Sequence, residues 1–155
     1  MTPTDHMRIR KLSKRDLDEV IRIDAIHTGA EQPEYWARLF REFLGRSPGH
    51  TRLGLAADVG GTVAAFLFAE VRAFEFGSEP CGWILEVGVD PAFERAGLGT
   101  ALLDSAVREL RAGGVAKIRT MVRRTNVPVL TFFRTNGFAG GPYVQLELLA
   151  GGHDV

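Results

Sequence analysis

Glu86-Val87-Gly88-Val89-Asp90-Pro91-Ala92-Phe93-Glu94-Arg95-Ala96-Gly97-Leu98-Gly99-Thr100 is the stretch on which the fold turns. An apolar run ending at Val89, a proline-marked turn and a Gly-x-Gly ahead of an amphipathic segment read as strand, turn and helix start. Backbone N–H groups at a helix start lack intrahelical acceptors and point outward with the positive end of the dipole. Gly97 and Gly99 let a phosphate come close to them. The stretch is therefore suited to holding an anion. Two nucleotide-binding readings fail against it: the dinucleotide fingerprint needs a third glycine where Leu102 stands, and the phosphate loop of nucleoside triphosphatases needs a lysine that does not follow Gly99.

Upstream of this junction, Trp83 to Val89 reads as a long strand. Thr51 to Ala57 and Thr62 to Val71 are apolar, partly β-branched runs that Asp58-Val59-Gly60-Gly61 joins into a hairpin. Earlier still, Met7 to Leu12 alternates like a half-buried strand. Ser13 then caps a helix through about Ile26, with Leu17, Val20, Ile21 and Asp24 on its inner side. A second helix runs from Pro33 to Leu44, carries Tyr35, Trp36, Leu39, Phe40 and Phe43, and is closed by Gly45. Downstream, Gly97 to Ala112 is a helix stopped by Gly113-Gly114, Val115 to Val122 a strand, Pro128 to Thr135 a short helix and Tyr143 to Leu149 a final strand. Antiparallel hairpins followed by strand–helix alternation predict an α/β fold, a mixed sheet covered by about four helices.

The chain has 155 residues, 45% hydrophobic and 25% charged. Such a chain forms one globular domain, and a disordered, collagen-like or coiled-coil class is excluded. Residues 7 to 149 are expected to form the core and 1 to 6 a disordered lead-in, with Met7 as an alternative start. The single cysteine, Cys81, makes no internal disulfide, which predicts a reducing, cytoplasmic location. No apolar run approaches ~20 residues and the amino terminus lacks an apolar signal segment, so no membrane partner is expected. Nineteen Lys plus Arg balance nineteen Asp plus Glu, which removes the basic footprint of a nucleic-acid binder. The charge is nevertheless segregated. Residues 58 to 94 carry seven acids against Arg72, and residues 95 to 134 eight bases against Asp104 and Glu109, so one segment suits a cation and the next an anion. His6, His27, His50 and His153 show no metal-ligand spacing, and no metal is expected.

A second motif follows: Asn126-Val127-Pro128-Val129-Leu130-Thr131-Phe132-Phe133-Arg134-Thr135-Asn136-Gly137-Phe138. Together the two resemble the GNAT superfamily, the acetyl-CoA-dependent N-acetyltransferases, whose patterns are Gln/Arg-x-x-Gly-x-Gly/Ala and, downstream, Asn-x-x-Ala-x-x-x-Tyr-x-x-x-Gly-Phe. The resemblance covers residues 7 to 149 and implies a single-domain GNAT-like fold with a splayed sheet of six or seven strands. It implies acetyl-CoA as cosubstrate, with the backbone of Val87, Gly88 and Val89 on the pantetheine arm. The loop of Glu94, Arg95, Ala96, Gly97, Leu98, Gly99 and Thr100 would wrap the pyrophosphate, and Asn126 and Phe133 would meet the cofactor from the other side. Gly88, inside a strand, fits a bulge that splays this strand from its parallel neighbour. Three departures stand out. Glu94 occupies the Gln/Arg position, although Arg95 follows it. Phe133 occupies the position of the tyrosine that commonly protonates the departing thiolate; a phenyl ring packs but cannot be an acid. Only one strand-like run follows Phe138 where many relatives have two, so an edge apolar at Val144, Leu146 and Leu148 is expected to be covered by a second copy in a homodimer.

The implied acceptor sets the chemical problem. An amine of pKa near 10.4 is neutral only about once in 10³ molecules at pH 7, a cost of roughly 4–5 kcal/mol, so a base is needed. Glu86, three residues before Val89, is the candidate catalytic residue, with a cross-strand salt bridge as its alternative role. Family members acting on polyamine-like or aminoglycoside-like substrates often carry an acid there. Glu70 and Glu75 are weaker candidates for binding the cation. The subfamily that modifies protein amino termini often has a glutamate five residues before the asparagine, where this chain has Met121. The implied function is transfer of an acetyl group to a primary amine, carried by a cationic small molecule or a basic peptide. Two readings stay open beside it: a non-catalytic acyl-CoA-binding or sensor domain, to which Phe133 and Glu94 point, and a protein N-terminal or ribosomal-protein acetyltransferase. His27, in a loop from His27 to Pro33, and the aromatic residues Trp83, Tyr35, Trp36 and Phe40 are further pocket candidates, with core positions expected for three of the four aromatics. Cys81 is expected in the core.

Overall fold

A computed structural model describes residues 6–45 and 51–151, in two compact units, Met1–Met121 and Val122–Val155. All but His6 of the expected lead-in lies outside the described residues. Among the described residues the first unit holds five strands: β1 Met7–Lys11, β2 Arg52–Val59, β3 Thr62–Arg72, β4 Cys81–Val89 and β5 Ile118–Arg119. They form one sheet in that spatial order, antiparallel as far as β4, with β5 parallel to β4. Its helices are α1 Leu17–Thr28, α2 Pro33–Leu44 and α3 Leu98–Ala112; α4, Val127–Thr135, belongs to the second unit.

The central strands are apolar on both faces because both faces are covered. Phe66 and Phe68 of β3 meet Trp36, Phe40 and Phe43 of α2, with ring centroids 5.3–5.7 Å apart. Each such side chain contributes about 1.5–3 kcal/mol on burial. The buried Trp36 indole N–H donates to Asp24 on α1 at 2.9 Å, which satisfies a donor that would otherwise cost about 1–3 kcal/mol. Ala65, Leu67 and Ala69 of β3 alternate onto the opposite face, where α3 buries Leu98, Leu102, Leu103, Ala106 and Leu110. The hairpin turns on Gly60 and Gly61, both with positive φ, and Asp58 accepts the Gly61 amide at 2.7 Å. Ser13 starts a 3-10 turn, Lys14–Asp16, ahead of α1, and its amide donates to Asp16 at 2.8 Å.

Three expectations are corrected. Among the described residues the sheet has five strands, not six or seven. The run 115–122 pairs only at Ile118 and Arg119, and Tyr143–Leu149 joins no strand among the described residues. A strand exists through its ladder partners, and a single run after Phe138 has no hairpin mate in sequence. Val144, Leu146 and Leu148 are accordingly 80–88% exposed. The bulge in β4 falls at Leu85, where the register with β3 steps from Phe68↔Glu86 to Ala69↔Ile84, and not at Gly88. Gly88 has a packing reason instead: a Cβ there would lie 2.5 Å from Cζ of Phe66. Finally, His27 belongs to the last turn of α1, not to a loop. Among the described residues no helix is long and apolar enough to cross a membrane, and no cluster of metal-ligating side chains occurs.

Candidate active site

β4 and β5 pair only at Gly82↔Ile118 and Trp83↔Arg119. Beyond that point the Thr120 hydroxyl takes the Ile84 carbonyl at 3.0 Å in place of a ladder bond. The rest of β4 has no strand on that side among the described residues. The Asp90 amide donates to Ala64 of β3 at 2.8 Å, so alternation turns the N–H and C=O groups of Val87 and Val89 to the open edge. An extended amide-bearing ligand could add to this edge as a strand does. One of its acceptors is engaged by the protein itself: His27 Nε2 donates to the Val89 carbonyl at 2.7 Å.

Glu86 shares a face of β4 with Gly88, and that face carries the aromatic core under α2. The Leu85 bulge places Glu86 opposite Phe68, so the carboxylate is half-buried against α2. Tyr35 donates its hydroxyl to Glu86 Oε1 at 2.5 Å. Burial pushes the Glu86 carboxyl above its ordinary range, the Asp24 charge adds to that rise, and the Tyr35 hydrogen bond opposes it. A carboxylate tuned upward is a better match to a proton leaving an ammonium than an exposed glutamate. No salt bridge to Glu86 is found among the described residues, so the cross-strand pair weighed as its alternative role is not formed.

At the end of β4, Asp90 caps the 3-10 turn Pro91–Phe93 by accepting the Ala92 amide at 2.9 Å, and it pairs with Arg22 of α1 at 2.8 Å. The chain then passes through two left-handed residues, Arg95 at φ 67° and Gly97 at φ 76°, before α3 begins at Leu98. The Ala101 amide is the first to bond back, to the Gly97 carbonyl at 3.0 Å, and helix geometry leaves the Leu98 and Gly99 amides without intrahelical acceptors. A strand with an open edge leads into a glycine-rich helix start. The first could pair with an extended amide-bearing chain and the second could take an anion.

The sequence model described as the acetyltransferase (GNAT) family matches residues 17–138, more than half of the chain. The chain belongs to the GNAT family. Mycothiol acetyltransferase of Saccharomonospora viridis is 34% identical over 87 residues, 54% of this chain and 28% of that protein. The ribosomal protein bS18 alanine N-acetyltransferase of Escherichia coli is 31% identical over 90 residues, 58% and 57% of the two chains. The match thus spans between about a quarter and just over half of the length of these relatives. An aminoglycoside 6'-N-acetyltransferase from Acinetobacter haemolyticus superposes with TM-score 0.77 at 20% identity, covering 92% of this chain and 97% of that one. A second aminoglycoside N-acetyltransferase, in complex with CoA, gives TM-score 0.79 at 19% identity, covering 94% and 95%. At these identities the likeness is one of fold: a GNAT α/β fold.

Within this GNAT chain, the first unit brings Glu86, Val87, Gly88, Val89 and the loop from Glu94 to Thr100 onto one strand and the helix start that follows it. Asn126 and Phe133 belong to the second unit. There Asn126 caps α4, its oxygen accepting the Val129 amide at 3.3 Å, which leaves its side-chain nitrogen and the second lone pair of that oxygen for a ligand. Gly137, at φ 93°, turns the chain out of α4, and the Phe138 amide bonds the Phe133 carbonyl at 3.0 Å while the two rings meet at 5.0 Å. The Gly-Phe pair of the second GNAT motif is therefore a helix C-cap with its hydrophobic contact. Of the four aromatics, Trp36 and Phe40 are core, Trp83 is partly exposed with the Arg72 guanidinium 5.1 Å from its ring, and Tyr35 reaches Glu86. Glu70 is held by Arg52 and Arg72, which leaves it poorly suited to a substrate cation. Sequence reasoning missed the Tyr35–Glu86 and His27–Val89 contacts; an aromatic at a core-like helical spacing and a lone histidine carry no local signal for either.

Proposed function

We propose that this chain is an N-acetyltransferase that moves the acetyl group of acetyl-CoA directly to a primary amine on a cationic small molecule or a basic peptide. The observation that carries the reading is Glu86: a half-buried carboxyl with its affinity for protons raised, next to an open strand edge that leads to a glycine-rich helix start. In the proposed reaction Glu86 takes a proton from the ammonium, directly or through a water. The neutral amine attacks the thioester carbonyl, a strand amide near Val89 holds the oxyanion, and the C–S bond breaks to release the thiolate. The sulfur takes a proton from solvent or from the cationic nitrogen that the attack creates, which must lose it to become the amide, because Phe133 cannot supply one. Val87, Gly88 and Val89 are assigned to the pantetheine arm and Glu94 to Thr100 to the pyrophosphate. From the second unit the proposal takes Asn126 and Phe133 as cofactor residues on the sequence resemblance alone. Asp58, Glu70 and Asp90 are engaged by arginines, so within the acidic stretch from Asp58 to Glu94 it is Glu86 and the remaining acids that favour a cationic acceptor, and a single cysteine suits a cytoplasmic setting.

Release of free thiol from acetyl-CoA, measured across a panel of polyamines, aminoglycosides, lysine-rich peptides and peptides with a free alanine amino terminus, tests the reading. Turnover with cationic amines is expected; preference for an acidic acceptor would discard the electrostatic argument. A second reading, a non-catalytic acyl-CoA sensor, is favoured by the missing hydroxyl at Phe133 and the acid at Glu94. Tight CoA binding by calorimetry with no turnover on any amine would select it. The exposed apolar run at Val144, Leu146 and Leu148 supports a homodimer formed across it, and sedimentation as a monomer at high micromolar concentration would discard that assembly.

A further inference from the structure

We propose that Tyr35 is a positioning residue for Glu86: its phenol on α2 clamps one carboxylate oxygen so that the other, Oε2, is turned to the acceptor amine. The proposal rests on the reading of Glu86 as the base. The two side chains lie 51 residues apart and meet at 2.5 Å, Tyr35 Oη donating to Oε1. The tyrosine ring is itself held. It packs edge-on against Trp36 at 5.0 Å, Trp36 is pinned through its indole N–H to Asp24 at 2.9 Å, and the Arg38 guanidinium lies 5.8 Å from the tyrosine ring centroid. A phenylalanine would serve this packing equally well. The hydroxyl is the part that packing leaves unexplained, and its partner is the one carboxylate that the mechanism uses.

The Tyr35 hydroxyl proton is committed to Glu86 Oε1, and burial and that carboxylate push the phenol above its ordinary value of 10, both of which make it a poor proton donor to the thiolate. Its effect falls on Glu86. The titratable groups that act on that carboxyl are Tyr35 from α2 and Asp24 from α1; Arg38 acts on the Tyr35 phenol, and the β3 neighbour of Glu86, Phe68, is uncharged. Donation from Tyr35 favours the ionised carboxylate, whereas the Asp24 charge disfavours it. The base is thus held between a donor that favours its ionised form and an acid that favours its protonated form.

Two variants separate these influences. The titration of Glu86 is followed by 13C NMR on protein labelled at the glutamate carboxyl carbon, with the signal assigned by its loss in Glu86→Gln. Tyr35→Phe is expected to raise the midpoint by about half to one pH unit and Asp24→Asn to lower it. The acid limb of kcat/KM for thiol release with spermidine and with a lysine-rich peptide should move in the same two directions. In Tyr35→Phe, kcat should fall about tenfold with KM for acetyl-CoA unchanged. A Glu86 midpoint that does not move in a Tyr35→Phe protein of unaltered thermal unfolding overturns the positioning role. Midpoints that move while thiol release is absent or its acid limb stays still overturn Glu86 as the base, and leave the pair as a structural hydrogen bond.

Discussion

Glu86 and Gly88, two residues apart on β4, can be tested separately because one is the proposed base and the other is set by packing against Phe66. Replacing Glu86 by Gln keeps the shape and removes the proton acceptor. Turnover should fall by roughly 10²–10⁴ at neutral pH and recover part of the loss as pH rises and the free amine becomes abundant. An unchanged pH–rate profile would make Glu86 structural. Gly88→Ala meets a different obstacle: the new Cβ would sit 2.5 and 2.6 Å from two carbons of the Phe66 ring, which is itself buried against Trp36. The ring has to move, at a cost of about 1–3 kcal/mol in denaturant unfolding, and Phe66→Leu in the same chain should restore part of it. Equal unfolding midpoints for Gly88→Ala and the parent would show that the ring yields freely.

At the level of elements, the junction between β4 and α3 combines strain with the proposed pyrophosphate site. Arg95 occupies the left-handed region at φ 67°, a conformation that costs a residue with a Cβ about 1–2 kcal/mol. Glycine at this position relieves the strain and removes the charge proposed to meet the pyrophosphate. Arg95→Gly should therefore unfold at a higher denaturant concentration, by about 1 kcal/mol, and yet bind CoA several-fold more weakly in calorimetry. Undiminished CoA affinity would remove Arg95 from the proposed site. β4 shows the same division of labour: its first half is paired on both sides, by β3 and β5, and its second half on one side, which stiffens the strand and opens its edge.

Across the first unit, ion pairs tie the sheet to its helices, and their protonation sets the acid limit of stability. Arg10 on β1 donates to Asp16 at 2.8 and 3.0 Å and to Asp58 on β2 at 2.8 Å, all three side chains being largely buried. Burial acts to raise the Asp16 carboxyl but is outweighed by hydrogen bonds from Arg10 and the Ser13 amide; for Asp58 the Arg10 hydrogen bond is the leading cause. Asp90 follows the pattern of Asp16, with Arg22 and the Ala92 amide outweighing burial. All three carboxyls end below the ordinary value of 3.8, so the folded state binds their protons more weakly than the unfolded chain does. Their contribution is complete above that value and is lost as pH falls through the depressed ones. Glu86 has the opposite sign: its raised carboxyl favours the fold at low pH and loses that contribution as pH climbs through the raised value. Arg10→Met takes the shared guanidinium from two buried acids, leaving Asp16 the Ser13 donors and Asp58 the Gly61 amide with Arg8 at 4.0 Å, and should cost about 3 kcal/mol at pH 7, shrinking toward pH 3 as the acids protonate. A cost independent of pH would assign the loss to packing instead.

The order and most boundaries of β1 to β4 and α1 to α4 follow from the sequence by itself, because those elements are decided by local periodicity and punctuation. Pro33 and Gly45 bound α2, Gly97 and Gly113 bound α3, and the Gly60–Gly61 turn closes the hairpin. The glycine-rich helix start and the acid at Glu86 were legible for the same reason, each being a residue type at a fixed offset from a strand end. Tertiary structure alone decided where pairing stops and which side chains converge. A strand's length depends on its neighbour, so the run 115–122 reduces to two paired residues and Tyr143–Leu149 to none. The extra residue of β4 is Leu85 because register with β3 is a property of two strands, whereas the glycine at position 88 answers a ring on β3. Tyr35 meets Glu86, and His27 meets Val89, across 51 and 62 residues of chain. No spacing within one element encodes such contacts; they exist only once the sheet has brought α1 and α2 against β4.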